Sequence, residues 1–125
     1  MALKLKVRRQ EKLMINGAVL EFSNDAEVTF LNRASIMREK DVMVEDQVTD
    51  LWSAAYFIVQ LIYIDIENKA RLGAMFRRVI GDLTNEYPEK REELNRLLTS
   101  FDEDNFYECL KLIKNSSVET KEGAV

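Results

Sequence analysis

Asn32-Arg33-Ala34-Ser35-Ile36-Met37-Arg38-Glu39-Lys40-Asp41-Val42-Met43 separates two kinds of periodicity in a chain of 125 residues. Before it, apolar residues alternate with a period of two; after about Thr49 they recur every three or four. One side therefore reads as strands and the other as helices. Inside the stretch, Ile36 and Met37 are apolar anchors, and Ala34 to Met37 is a candidate fifth strand. Arg38, Glu39, Lys40 and Asp41 form a run of mixed sign suited to water or a charged partner. The alternation of sign suggests that Arg38 and Lys40 face a ligand while Glu39 and Asp41 orient them through local ion pairs.

Upstream, Leu3, Leu5 and Val7 alternate with Lys4, Lys6 and Arg8, the pattern of a half-buried strand with one basic face. Arg9, Gln10 and Glu11 make a turn, and Leu13 with Ile15 opens a second strand. Asn16-Gly17 supplies the two positive-φ positions of a type I′ hairpin turn, so a third strand follows through Ala18, Leu20 and Phe22. Ser23-Asn24-Asp25 is a second turn cluster, and Ala26, Val28 and Phe30 alternate with Glu27 and Thr29 as a fourth strand.

Downstream, Glu45, Asp46, Thr49 and Asp50 place acids and a capping side chain ahead of an apolar helix over Leu51 to Ile64. Apolar residues surround that helix on nearly every side, which makes it the buried rod of the second half. Asn68 is placed to cap a second helix, with Leu72, Met75, Phe76, Val79, Ile80, Leu83 and Tyr87 on one stripe and Gly73 and Gly81 weakening it. At Pro88 the chain must stop and restart. Leu94, Leu97, Leu98 and Phe101 form the inner face of a third helix; Asp102 is read as the cap of a fourth, with Phe106, Cys109, Leu110 and Ile113 inward. The fold class is α+β: a small N-terminal antiparallel β unit followed by a three- to four-helix C-terminal bundle. Residues 1–125 read as a single domain, with a β half at 1–43, a helical half at 44–114 and a polar, disordered tail at 115–125.

Composition excludes several function classes. With no histidine and one cysteine, Cys109, the common metal clusters and the Ser-His or Cys-His nucleophilic arrangements cannot be built. Glu86, Glu89, Glu92 and Glu93, and likewise Asp102, Glu103 and Asp104, sit at helix starts or on exposed faces, where the helix dipole and water account for them. The four glycines are scattered, so no phosphate loop exists. The chain reads as a non-enzyme without catalytic residues, metal or cofactor. A lone cysteine on an apolar stripe is a core residue, needs no oxidising compartment and points to a cytoplasmic chain. Lysines and Arg8 interrupt the N-terminal apolar residues, and no run reaches membrane-spanning length.

The net charge of −4 is unevenly spread. Residues 1–40 carry eight Lys or Arg against five Asp or Glu, net +3, and residues 41–125 carry ten against seventeen, net −7. Lys4, Lys6 and Arg8 would stand about 6.6–6.8 Å apart along a strand, near the phosphate spacing of an extended single strand. Arg9, Lys12, Arg33, Arg38 and Lys40 could widen this surface. The competing explanation is that edge lysines discourage sheet-to-sheet aggregation. In the acidic half, Trp52 and Tyr56, one helical turn apart, suit either core packing or a partner contact, and a helix bundle can grip a partner helix in a groove. The strands leave a free edge, so a homodimer stays open.

The string Arg33 to Met43 resembles the central signature of the FlbT family, flagellar biosynthesis regulators of alphaproteobacteria. Asn16-Gly17-Ala18-Val19, Tyr56 to Asp65 and the opening Leu3-Lys4-Leu5 agree with it, so the likeness covers roughly residues 2 to 66. Thr49-Asp50-Leu51-Trp52-Ser53-Ala54 departs from the Pro-containing approach of the family. The resemblance implies a post-transcriptional regulator of flagellin synthesis acting on the leader of flagellin messenger RNA. It also implies links with flagellin itself and with an antagonistic partner, FlaF. On that reading Lys4, Lys6, Arg8, Arg9, Arg33, Arg38 and Lys40 are the candidate RNA contacts, and Trp52, Tyr56 and Tyr63 the candidate protein contacts. The alternative is a flagellin-binding, chaperone-like module.

Overall fold

A computed structural model describes residues 3–123 and divides into two compact units, Met1–Val42 and Met43–Val125.

The first unit holds five strands in two small antiparallel sheets. β1 (Leu3–Val7) pairs with β4 (Ala26–Phe30), while β2 (Lys12–Ile15) lies between β3 (Ala18–Glu21) and β5 (Ile36–Arg38). The period-two pattern sets the first register: Leu3, Leu5 and Val7 oppose Phe30, Val28 and Ala26, whereas Lys4 and Lys6 oppose Thr29 and Glu27. Asn16 and Gly17 adopt φ of 50° and 85°, and Ile15 pairs directly with Ala18, as the type I′ turn requires. Asn16 also holds the segment that leads into β5. Its N–H donates to the Ser35 carbonyl at 2.8 Å and its Oδ1 accepts the Ser35 N–H at 2.8 Å. The fifth strand begins after that clamp, at Ile36 instead of Ala34, and takes in Arg38. Val7, Leu13 and Met37 are the buried apolar side chains among the described residues of this unit, and β3 is exposed along its whole length.

In the second unit, Asp50 caps α1 (Leu51–Ile64): its Oδ1 accepts the Ser53 N–H at 2.8 Å while Ser53 Oγ accepts the Asp50 N–H at 2.9 Å. This is a capping box with serine in the usual glutamate position. α2 (Asn68–Glu86), α3 (Arg91–Asp102) and α4 (Phe106–Gly123) follow, with a 3-10 turn at Pro88–Lys90. α1 packs against α2 and α4, and α3 against α4 and α2. Their core centres on Phe101, stacked on Phe76 at 4.2 Å and met edge-on by Phe106 at 5.6 Å.

Four details differ from the sequence reading. Asn68 does not cap α2; its Nδ2 donates to the Leu61 carbonyl at 2.9 Å and closes the end of α1. Met75 is 53% exposed, because the buried row of α2 is the narrower set Leu72, Phe76, Ile80 and Leu83. Asp102 is the last residue of α3 and pairs with Arg77 instead of starting α4. Asp104, at φ 60°, lets the Asp104 and Asn105 N–H groups bond back to Phe101 and Ser100, which delays α4 to Phe106. Finally, residues 115–123 are helical, where a disordered tail was expected. The inward row of α4 continues one turn past Ile113 to Ser116, a buried hydroxyl that donates to Glu93 Oε2 at 3.0 Å; a polar residue in that row hid the continuation. The last two residues of the expected tail, 124 and 125, lie outside the described residues.

Candidate functional site

Strand alternation puts Lys4 and Lys6 on the exposed face of β1, and Arg8 follows, also exposed, at its end. The face is not uniformly basic. Lys6 opposes Glu27, and Lys6, Val7, Arg8, Asp25, Ala26 and Glu27 line a shallow depression of about 390 Å³. Lys4 opposes the neutral Thr29. Arg9 is exposed, while its N–H donates to Asp25 Oδ1 at 2.7 Å and fixes the turn. Gln10, at φ 68°, completes that turn by donating its N–H to the Phe22 carbonyl at 2.6 Å.

The organising group of this surface is Glu11. Its Oε2 accepts the Arg8 N–H at 3.0 Å and its Oε1 accepts Arg38 Nη1 at 2.7 Å. Arg38 Nη2 reaches on to the Lys6 carbonyl at 3.3 Å. Arg38 thus ties β5 of one sheet to β1 of the other. The expected pairing of Arg38 with Glu39 or Asp41 is corrected here. Arg38 sits opposite the buried Leu13 in the β2–β5 ladder, so its stem lies on the inner face, and Glu39 has already begun a 3-10 turn. The Arg8 N–H, joined by Arg38, holds the Glu11 carboxyl below its usual range against the opposing effect of partial burial. Lys6, Arg8, Glu11 and Arg38 are therefore brought together. Arg33, in the loop before β5, and Lys40, in the turn Glu39–Asp41, are exposed but take no part in this cluster.

Sequence reasoning treated Glu11 only as a turn residue. The available signal was a single acid flanked by Arg8, Arg9 and Lys12. Gln60 was also missed. It is 3% exposed on α1, its Oε1 accepts the Met43 N–H at 2.7 Å and its Nε2 donates to the Met43 carbonyl at 2.8 Å. One amide in an apolar run, able to pair with both the N–H and the C=O of a single residue, was the clue.

Of the three candidate partner contacts in the helical unit, Trp52 and Tyr56 are buried, and Trp52 packs 5.8 Å from the Tyr87 ring. Burial removes both from the accessible surface. Tyr63 is half-buried, 6.2 Å from the exposed Tyr107 ring, over which Lys111 sits. Ala54, Phe57, Leu61 and Ile64, spaced three or four apart, form a half-buried apolar row on α1. Burial, with Glu108 adding to it, pushes the Cys109 thiol up to about 12, so the thiol is protonated and inert at neutral pH. Among the described residues no group of His, Cys, Asp or Glu could hold a metal ion, and no helix is long and apolar enough to cross a membrane.

The family described as Flagellar protein FlbT matches residues 3–121. The chain belongs to the FlbT family. Membership therefore extends well past the segment that carried the resemblance and takes in the helices. The probable flagellum biosynthesis repressor protein FlbT of Agrobacterium fabrum is 32% identical over 114 residues, covering 90% of this chain and 76% of that protein. The protein of the same description from Caulobacter vibrioides is 44% identical over 66 residues, 52% of this chain and 47% of its own length. One from Mesorhizobium japonicum is 29% identical over 115 residues, 90% of this chain and 78% of its length. No solved structure matches the chain.

Proposed function

We propose that this FlbT chain is a cytoplasmic, post-transcriptional regulator of flagellin synthesis that binds the leader of flagellin messenger RNA through the cationic surface of its β unit. The observation that carries the reading is the exposed row of Lys4 and Lys6 on β1 and Arg8 just past its end, the last two braced at the backbone by Arg38 and Glu11. Relatives named flagellum biosynthesis repressors support a regulatory role in flagellar synthesis. Phosphates would sit along the row, strongest near Lys4, while Glu27 and Asp25 oppose phosphate beside Lys6 and Arg8 and so limit where a strand can lie. The chemistry is charge neutralisation and occlusion of the message, with no bond made or broken. Titrating a flagellin leader RNA at several salt concentrations tests it: affinity should fall linearly on a log–log plot, by about 0.7 per phosphate contact for a single strand. Salt-independent or undetectable binding contradicts it.

A second reading is supported by the half-buried row on α1 and by the Tyr63–Tyr107 pair. The helical unit would take a helix of a protein partner such as flagellin, or FlaF, by burying that row at about 25 cal/mol per Å². A stoichiometric complex with flagellin that survives loss of the basic row distinguishes it from the first.

A further inference from the structure

We propose that Glu11 is the positioning residue of the RNA-binding surface and that Arg38 acts through it, as a bolt between the two sheets and not as a phosphate ligand. The inference rests on the RNA-binding reading above and deepens it. Three contacts converge on one carboxylate and one guanidinium. Glu11 Oε2 takes the Arg8 N–H at 3.0 Å, Glu11 Oε1 takes Arg38 Nη1 at 2.7 Å, and Arg38 Nη2 takes the Lys6 carbonyl at 3.3 Å. Lys6 and Arg8, two of the three cations in the row, are thus fixed at the backbone by a pair that lies behind them. Both members of the pair are partly buried, with side chains 30% and 26% exposed, whereas the side chains of Lys6 and Arg8 are exposed. The fork geometry matters. A guanidinium spans a carboxylate oxygen and a carbonyl at once, which a lysine ammonium on a flexible stem does not do with fixed direction. The joint is also where the two sheets of the unit meet: β5 belongs to the three-stranded sheet and β1 to the two-stranded one.

Simple electrostatics makes the opposite forecast for one substitution, which gives the test its force. Glu11 is an acid in a basic surface, so its neutralisation should strengthen RNA binding if only net charge matters. If Glu11 positions the cations, neutralisation weakens binding although the surface becomes more positive. The experiment measures binding of a flagellin leader RNA to the full chain, as wild type, Glu11→Gln and Arg38→Lys, over a salt series, with circular dichroism on the same samples. Folded Glu11→Gln should bind about tenfold more weakly, with a salt slope shallower by about 0.7 for each cation moved out of place. Arg38→Lys keeps the charge and removes the fork, so it should weaken binding by a similar factor and keeps the test sharp should Glu11→Gln fail to fold. Glu11→Gln binding as well as or better than wild type, or Arg38→Lys binding unchanged, overturns the inference while RNA binding itself stands. A wild-type chain without salt-dependent binding removes the RNA-binding reading and this one together.

Discussion

The two units are held by different forces. Among the described residues the helical unit buries seventeen apolar side chains, from Trp52 to Ile113, and the β unit buries three. The helical unit is therefore an apolar core wrapped in short helices, and the β unit a set of ladders closed by polar clamps at Asn16, Asp25 and Glu11. The division of labour proposed above puts a charged ligand on the unit built from ladders and clamps and an apolar partner on the unit built around a core.

The comparison breaks most readily at Phe101. Truncation to alanine removes the ring that Phe76 stacks on and Phe106 meets, and should cost about 3–5 kcal/mol in chemical denaturation followed at 222 nm. A cost under about 1 kcal/mol would mean that the helices are not held by this core. Gln60→Leu keeps the volume and strips the partners from both the N–H and the C=O of Met43; about 1–3 kcal/mol should be lost in the same measurement. For the β unit, Asn16→Ala gives up the side-chain half of the Ser35 clamp and places alanine at φ 50°, a loss of about 1–2 kcal/mol read from the melting of the strand signal. The smallest effect is at Glu11. Its carboxyl is held below the usual range in the folded chain, so the stability it lends is present above the ordinary glutamate range, near pH 4.5, and is lost as pH falls through the depressed value. Acid titration of wild type against Glu11→Gln should show this part of the pH dependence in the wild type alone, and only weakly, because the pair is partly solvated.

Local chemistry made much of this fold legible. Asn16-Gly17 announces a turn whose positive φ angles few residues tolerate, and the run Leu51 to Ile64 is so apolar that its helix could be bounded to the residue. Long-range pairing was not legible. Nothing near Arg38 in sequence points to Glu11, which is 27 positions away and becomes its neighbour only when β5 pairs with β2. The acids opposite the basic row were hidden for the same reason, since Glu27 faces Lys6 only once β1 and β4 are in register. At α4 the error ran the other way: polar composition suggested disorder, while Ser116 continues the inward row by donating to Glu93. Trp52 and Tyr56 were ambiguous because an aromatic pair one turn apart suits a core and an interface equally, and burial decides for the core.

The most direct test of the two-unit account measures its two proposed ligands on one variant. Lys4→Ala, Lys6→Ala and Arg8→Ala are combined in one chain, and binding of a flagellin leader RNA and of flagellin is measured side by side at several salt concentrations, with folding checked by circular dichroism. The account predicts that the triple variant loses RNA affinity, with a salt slope shallower by about 0.7 for each phosphate contact removed, and keeps whatever flagellin affinity the wild type has. RNA binding with unchanged affinity and slope in a folded triple variant would contradict it.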